Sequence, residues 1–137
     1  MENKAYSYAK ECLKTKDAPK YVKKQCREFI RIADGKDEKY YLNEDKVKQI
    51  ESILNILIMP KGLKAGKTLK ECTCKYQWLF YISILGIVER NNPSKRKYET
   101  AILEIARKNF KTYTIATIFI LLFLLEPKYS KFYSVAP

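Results

Sequence analysis

Histidine is absent from the 137 residues, and with it the side chain that most readily serves as a general base or metal ligand near neutral pH. The four cysteines, Cys12, Cys26, Cys72 and Cys74, are dispersed apart from one Cys-X-Cys, so the paired Cys-X2-Cys spacing of a structural zinc site is missing too. They read as free thiols in a reducing compartment. Only 4 glycines leave little room for a loop-rich or β-sandwich fold, and helices should dominate. Met1 leads straight into charged and polar residues, so no secretory leader is expected. The apolar run Ile115 to Leu125 falls well short of the ~20 residues that cross a bilayer. It reads as a buried helix, although Lys111 and Lys128 on its flanks would permit interfacial insertion.

Acidic residues are the scarce charge. Against 27 Lys and Arg stand 15 Asp and Glu, a net charge of +12. That excess favours a polyanionic partner, nucleic acid or an acidic membrane surface, and does not choose between them. A lysine-rich coding bias with solvated faces accounts for part of it. What is present in quantity is apolar: 47% hydrophobic and 13% aromatic residues, enough for one modest core.

The first 60 residues read as helices. Ala5, Ala9, Cys12 and Leu13 share one face of a short helix. A second has Asp17 as cap, Pro19 in its first turn, the apolar series Val22, Cys26, Phe29, Ile30 and Ala33, and Gly35 as its stop. After a polar, tyrosine-bearing loop, Asn43 caps a third, whose apolar positions are Val47, Ile50, Ile53, Leu54 and Leu57 and which Pro60 ends. A fourth opens at Tyr76 and closes at Gly86, with Trp78, Leu79, Ile82 and Leu85 as its buried stripe. Gln77 lies off that stripe, and its amide both donates and accepts, as the edge of adenine requires. The plain alternative is a surface glutamine beside core aromatics. No catalytic constellation is visible in the first 60 residues.

The chemistry gathers in 98–137, which reads as strand, basic loop, apolar helix and strand. Thr100 to Ala106 is short, apolar and rich in branched residues, as a buried strand is. Phe132 to Ala136 is the second strand expected. Between them, Ala-Arg-Lys-Asn-Phe-Lys-Thr, Ala106 to Thr112, runs into the helix Tyr113 to Leu125. A strand leading through Lys-Thr into a buried helix is where phosphate loops occur: loop amides and helix N-terminus face the anion, the lysine reaches the terminal phosphates, and the threonine hydroxyl meets magnesium. Lys111 and Thr112 are the first candidates. Ile105 and Phe110 occupy the two usual glycine positions, so Phe110 either sends the loop along another path or holds its backbone under strain. The plain alternative is a solvated Arg-Lys-Asn turn joining core elements. Gly62 to Thr68 imitates such a loop, but three residues separate its glycines where four are needed, and no strand precedes it.

Taken together, Tyr76-Gln77-Trp78, Gly86, the basic Lys95-Arg96-Lys97 and Glu104 to Thr112 resemble the start of the ATPase domain of phage terminase large subunits. The likeness is to the branch whose phosphate loop reads Ala-Arg-Lys-Asn-Gly-Lys-Thr or Ser, and it covers about the second half of the chain. In that family the first loop glycine is commonly lost and an arginine precedes the lysine, which accommodates Ile105 and Arg107; Phe110 departs from the pattern. The resemblance implies an α/β fold, a helical N-terminal lead-in followed by the first βαβ unit of a P-loop NTPase, as a fragment of a larger parallel-sheet domain. The expected divisions are 1–60, helical; 61–97, a connector carrying the adenine helix; and 98–137, the start of the ATPase core.

The resemblance further implies ATP and magnesium as cofactors, with Tyr76 and Gln77 at the adenine, Arg107, Lys108 and Asn109 in the loop, Lys111 on the β- and γ-phosphates and Thr112 on the metal. Arg107 would sense or stabilise the γ-phosphate. The intact family drives double-stranded phage DNA into procapsids with portal and small terminase subunits, in the cytoplasm of the bacterial host. An Asp-Glu-ended strand, a coupling motif and a nuclease domain are expected beyond this stretch, and the 137 residues alone are expected to be inactive. Readings from other classes are a small basic DNA-binding or adaptor module without nucleotide chemistry, and an amphitropic membrane protein using Ile115 to Leu125; stable membrane association is not expected.

Overall fold

A computed structural model describes residues 3–126, 131–133 and 135. The chain divides into two compact units, Met1–Ala101 and Ile102–Pro137. Unit 1 contains the helices α1 (Lys4–Lys14), α2 (Lys20–Ala33), α3 (Glu44–Ile56), α4 (Leu69–Cys72) and α5 (Lys75–Gly86), with strands β1 (Tyr40–Leu42) and β2 (Ile87–Glu89). Unit 2 contains α6 (Lys111–Leu125). The fold is mixed α/β, mostly helical, with one small antiparallel sheet of two strands among the described residues.

The helix boundaries follow local chemistry. Asn3 accepts from the Tyr6 amide at 2.9 Å and opens α1. Asn43 accepts from the Asp45 and Lys46 amides at 3.1 and 3.2 Å and opens α3, as its position suggests. At α2 the expected cap moves: Pro19, not Asp17, is the capping residue, and it provides no side-chain bond. The far end of α2 is a Schellman turn. Gly35 takes φ 73, its amide donates to Ile32 and the Lys36 amide donates to Arg31, both at 3.0 Å. α3 ends at Ile56, several residues before Pro60.

α5 lies at the middle of unit 1, packing against α1, α3 and β2. Ala5 and Ala9 of α1 are fully buried, and their small side chains let α1 approach closely. Trp78, Ile82 and Leu85 are buried as expected, but Leu79 is only half-buried, and Tyr81 and Gln77 join the core. An α-carbon substituent at Gly86 would stand 3.3 Å from Leu42 Cδ1 and 3.5 Å from Val47 Cγ2, so glycine here lets α5 meet β1 and α3.

The sheet is not where the sequence suggested. Thr100 to Ala106 carries no strand, and no parallel pair exists among the described residues. The expected strand Phe132 to Ala136 is irregular where described, while Ser134 and Ala136 lie outside the described residues. Instead, β1 pairs antiparallel with β2, Tyr41 opposite Val88. The chain then turns at Asn92 and returns beside β2, with Glu89 donating to Lys95 at 2.9 Å and Lys97 to Ile87 at 3.0 Å. The basic stretch 89–97 is therefore a hairpin return.

Asp37 ties these pieces together. Its Oδ1 accepts from the Tyr40 and Lys39 amides at 2.7 and 2.9 Å, and its Oδ2 accepts from Arg31 of α2. Its backbone carbonyl accepts from Arg90 Nε at 3.0 Å. The Tyr40 amide, with help from Lys39 and Arg31, holds the carboxyl below its ordinary range. Glu28 is lowered by Arg31 and then Lys97, and Asp34 by the Tyr6 hydroxyl. Each depressed carboxylate contributes stability that is present above its unfolded pKa, ~4, and lost as pH falls through the lower folded value. Unit 1 should therefore begin to lose stability below about pH 4. Asp37→Asn keeps the shape but loses the charge, so it should cost about 1–2 kcal/mol in urea unfolding at pH 7. That difference should narrow as pH falls below about 4 and close once pH lies below the lowered folded pKa of Asp37, where the wild-type carboxyl is protonated as well.

Candidate phosphate-binding site

Residues 102–106 of unit 2 run without regular structure into a turn at Arg107–Phe110, and α6 follows directly. Lys108 and Phe110 both take left-handed backbone, φ 64 and 58, with Asn109 between them. Where right- and left-handed residues alternate, successive N–H groups can face one side and form a concavity suited to anions. Phe110 is the capping residue of α6, and its carbonyl accepts from both the amide and the hydroxyl of Thr114 at 2.8 Å. The positive φ that a glycine would adopt freely is thus present with a phenylalanine in place. A left-handed residue other than glycine costs about 1–2 kcal/mol. The Phe110 ring is 59% exposed and meets Tyr113 edge-on at 6.5 Å between centroids, so little packing offsets the strain.

Lys111 and Thr112 are the first two residues of α6, and both are exposed. Arg107, Lys108 and Asn109 are exposed in the turn. Arg107, Lys108 and Lys111 make no ion pair among the described residues, and no acid occupies the first turn of α6 to neutralise the positive helix end. The turn therefore gathers three cations and a set of amides at the N-terminus of a 15-residue helix. The Thr112 hydroxyl stands one residue beyond the lysine, where it could share a magnesium ion with phosphate oxygens. Among the described residues no three Cys, Asp or Glu side chains gather as a metal site of their own, so a cation here would arrive with its phosphates.

The rest of α6 is apolar on nearly every side. Thr114, Thr117, Ile118 and Leu121 are buried, and the two threonines satisfy their hydroxyls on carbonyls one turn back, at 2.8 and 2.9 Å. Ile115, Ile120, Phe123 and Leu124 remain exposed, Phe123 by 73%. Phe132 folds back beside Phe119 and Phe123, at 6.2 and 6.3 Å between ring centroids. No helix among the described residues is long and apolar enough to cross a membrane.

The imitation loop is a different object. Met59 donates to Lys67 at 2.8 Å and Gly66 to Met59 at 3.0 Å, so the segment closes on itself as a pinned turn. Thr68 then caps α4 in a reciprocal box with Glu71. Its hydroxyl serves that cap, and a four-residue helix brings little dipole to bear on an anion.

Tyr76 and Gln77 belong to α5 of unit 1. Tyr76 is half-buried, and Gln77 is 1% exposed, so the expectation of a glutamine turned away from the core is corrected. Gln77 Oε1 accepts from the Cys74 amide at 2.7 Å and closes the first turn of its own helix. The acceptor needed to read adenine is already engaged. Four cysteines are free as expected; burial and the neighbouring Cys12 push the Cys26 thiol up to about 12.

Two substitutions separate structure from chemistry here. Phe110→Gly should relieve the left-handed strain and leave α6 at least as well formed, read as unchanged or stronger hydrogen-exchange protection of the Thr114 amide; a loss would mean that the ring is needed for packing. Gln77→Ala should lower the stability of unit 1 by about 1–3 kcal/mol, because it empties a buried position and leaves the part-buried Cys74 amide without its acceptor.

No protein-family model matches the chain, and neither a curated protein nor a solved structure shows significant similarity to it.

Proposed function

We propose that the turn Arg107–Phe110 and the start of α6 bind the phosphates of magnesium ATP, and that the chain is part of an ATPase motor of the phage terminase large-subunit type. The observation that carries this reading is the paired left-handed residues, Lys108 and Phe110, immediately before a helix that opens Lys-Thr. A left-handed residue directly before a helix that opens Lys-Thr supports this reading even though the usual glycine is absent. Sequence order and local geometry support the same assignment.

In this reading the loop amides and the end of α6 receive the anion. The Lys111 ammonium, on a flexible stem, reaches the β- and γ-phosphates, and the Thr112 hydroxyl ligates magnesium. Arg107 lies where a cation would stabilise charge on the γ-phosphate, and phosphoryl transfer depends chiefly on such positioning and electrostatics. Lys108 and Asn109 shape the turn. Magnesium ATP would supply the transferable phosphoryl group. Gln77 is not assigned to the base, because its oxygen is held within α5.

The exposed apolar faces of unit 2 fit a core element of a larger sheet domain. Strand formation by Thr100 to Ala106 would then await neighbouring strands. Double-stranded phage DNA, portal and small terminase subunits, a nuclease domain and the host cytoplasm belong to the same reading.

Titrating magnesium ATP into the 137-residue protein should shift the amide resonances of 107–114, with no steady turnover, since no carboxylate in the turn can activate water. Lys111→Ala should abolish those shifts and Lys67→Ala should leave them intact. Shifts centred on 62–68, or none in either segment, would remove the nucleotide from this chain.

A further inference from the structure

Unit 1 has a basic feature that the phosphate turn does not use. An open cleft of about 450 Å³ lies between α2 and the hairpin return, lined among others by Lys24, Arg27, Glu28, Arg31, Lys97 and Tyr98. Glu28 is the one acid among its lining residues, and it is spent on its neighbours: Arg31 bonds it through two nitrogens at 3.1 Å, and Lys97 bonds its Oε1. Arg31 is held again by Asp37. These ties fix the wall of the cleft, while Lys24 and Arg27 make no ion pair among the described residues.

The cations continue along the helix. Lys20, Lys24, Arg27 and Arg31 recur at four-, three- and four-residue spacing on one exposed face of α2, a row of about 16 Å at 1.5 Å per residue. A single small anion would use one end of such a row. The aromatic side adds a second observation: the Lys97 ammonium sits 5.1 Å from the centre of the Tyr40 ring and 5.2 Å from that of Tyr98. A basic track edged by the Tyr98 ring suits a chain of phosphates that also presents unpaired bases. A duplex would match the charges but keep its base faces stacked inside. A lipid surface would call for aliphatic side chains beside the cations, and Lys24, Gln25, Arg27 and Arg31 present none.

We infer that the α2 cleft binds a single strand of nucleic acid, with Lys24 and Arg27 on the phosphodiester backbone and Tyr98 as a platform for one base. This surface lies wholly in unit 1 and is independent of ATP binding at α6.

Anisotropy of a labelled oligothymidylate with the full 137-residue protein tests it, beside a duplex of equal length and vesicles of anionic lipid. Lys24→Glu with Arg27→Glu should weaken the single strand at least tenfold and reduce the slope of log K against log salt by about 1.4, two contacts at about 0.7 each. Lys48→Glu with Lys61→Glu, the same change in net charge elsewhere on unit 1, should have no more than a twofold effect. Tyr98→Ala should cost the single strand about tenfold, within the range for one lost base stack, and leave duplex binding unchanged. Thermal melts of each variant matching the wild type exclude loss of fold as the cause. Equal loss from both charge pairs, duplex or vesicle binding as tight as the single strand, or indifference to Tyr98→Ala would each overturn the inference.

Discussion

A relay of charges, Asp37 to Arg31 to Glu28 to Lys97, holds the α2 side of unit 1 to its sheet. Cys26, Phe29 and Ile32 set α2 against the core, and the relay adds its tie to the sheet. β1 and β2 are three residues each, too short to select a register by burial, and α2 carries five cations that would otherwise splay from the hairpin return. The carboxylate of Asp37 fixes the entry to β1 through two amides, and its carbonyl catches Arg90 just beyond β2. Because the acids are consumed in building the scaffold, the remaining cations of α2 are left to solvent. The same interactions that stabilise the fold thus define which charges a ligand could meet.

What was legible in the sequence was local. Asn43 as a cap, Gly35 as a stop and Gly86 as a helix end act within a turn of their own positions, and each holds. So does the helix that begins beside Lys111. What was illegible depends on partners far along the chain. Tyr40 to Leu42 reads as a polar loop because three residues show no period, and its partner, Ile87–Glu89, follows only after three helices. Thr100 to Ala106 has the composition of a buried strand, but composition supplies no neighbour to pair with, and Ile102 is 87% exposed. Gln77 lies off the apolar stripe of α5, yet a helix enclosed on most sides has no true outer face. A glutamine there closes its own helix turn.

At the turn before α6, the sequence names the candidate residues Arg107 to Thr112 but does not fix their backbone. Phe110 could have diverted the chain or accepted strain, and side-chain chemistry does not decide between those outcomes. The turn accepts the strain at Phe110 and places Lys108 in the same left-handed region two residues earlier. α6 explains why that is tolerable: its buried line and its two threonine back-bonds lock the helix from Thr114 onward, so the unfavourable backbone is confined to the turn.

The pairing of β1 with β2 has a mechanical meaning. These strands are the two ends of a loop formed by residues 43–86, which includes α3, α4 and the core helix α5. Tension drawn between Asp37 and Arg90 would load the strand pair at its Tyr40–Glu89 end, opening it pair by pair, and would not reach that loop until Tyr40–Leu42 and Ile87–Glu89 had parted. Six paired residues and the Asp37–Arg90 tie behind them act as a clasp, shielding the middle of the unit from force applied along the chain.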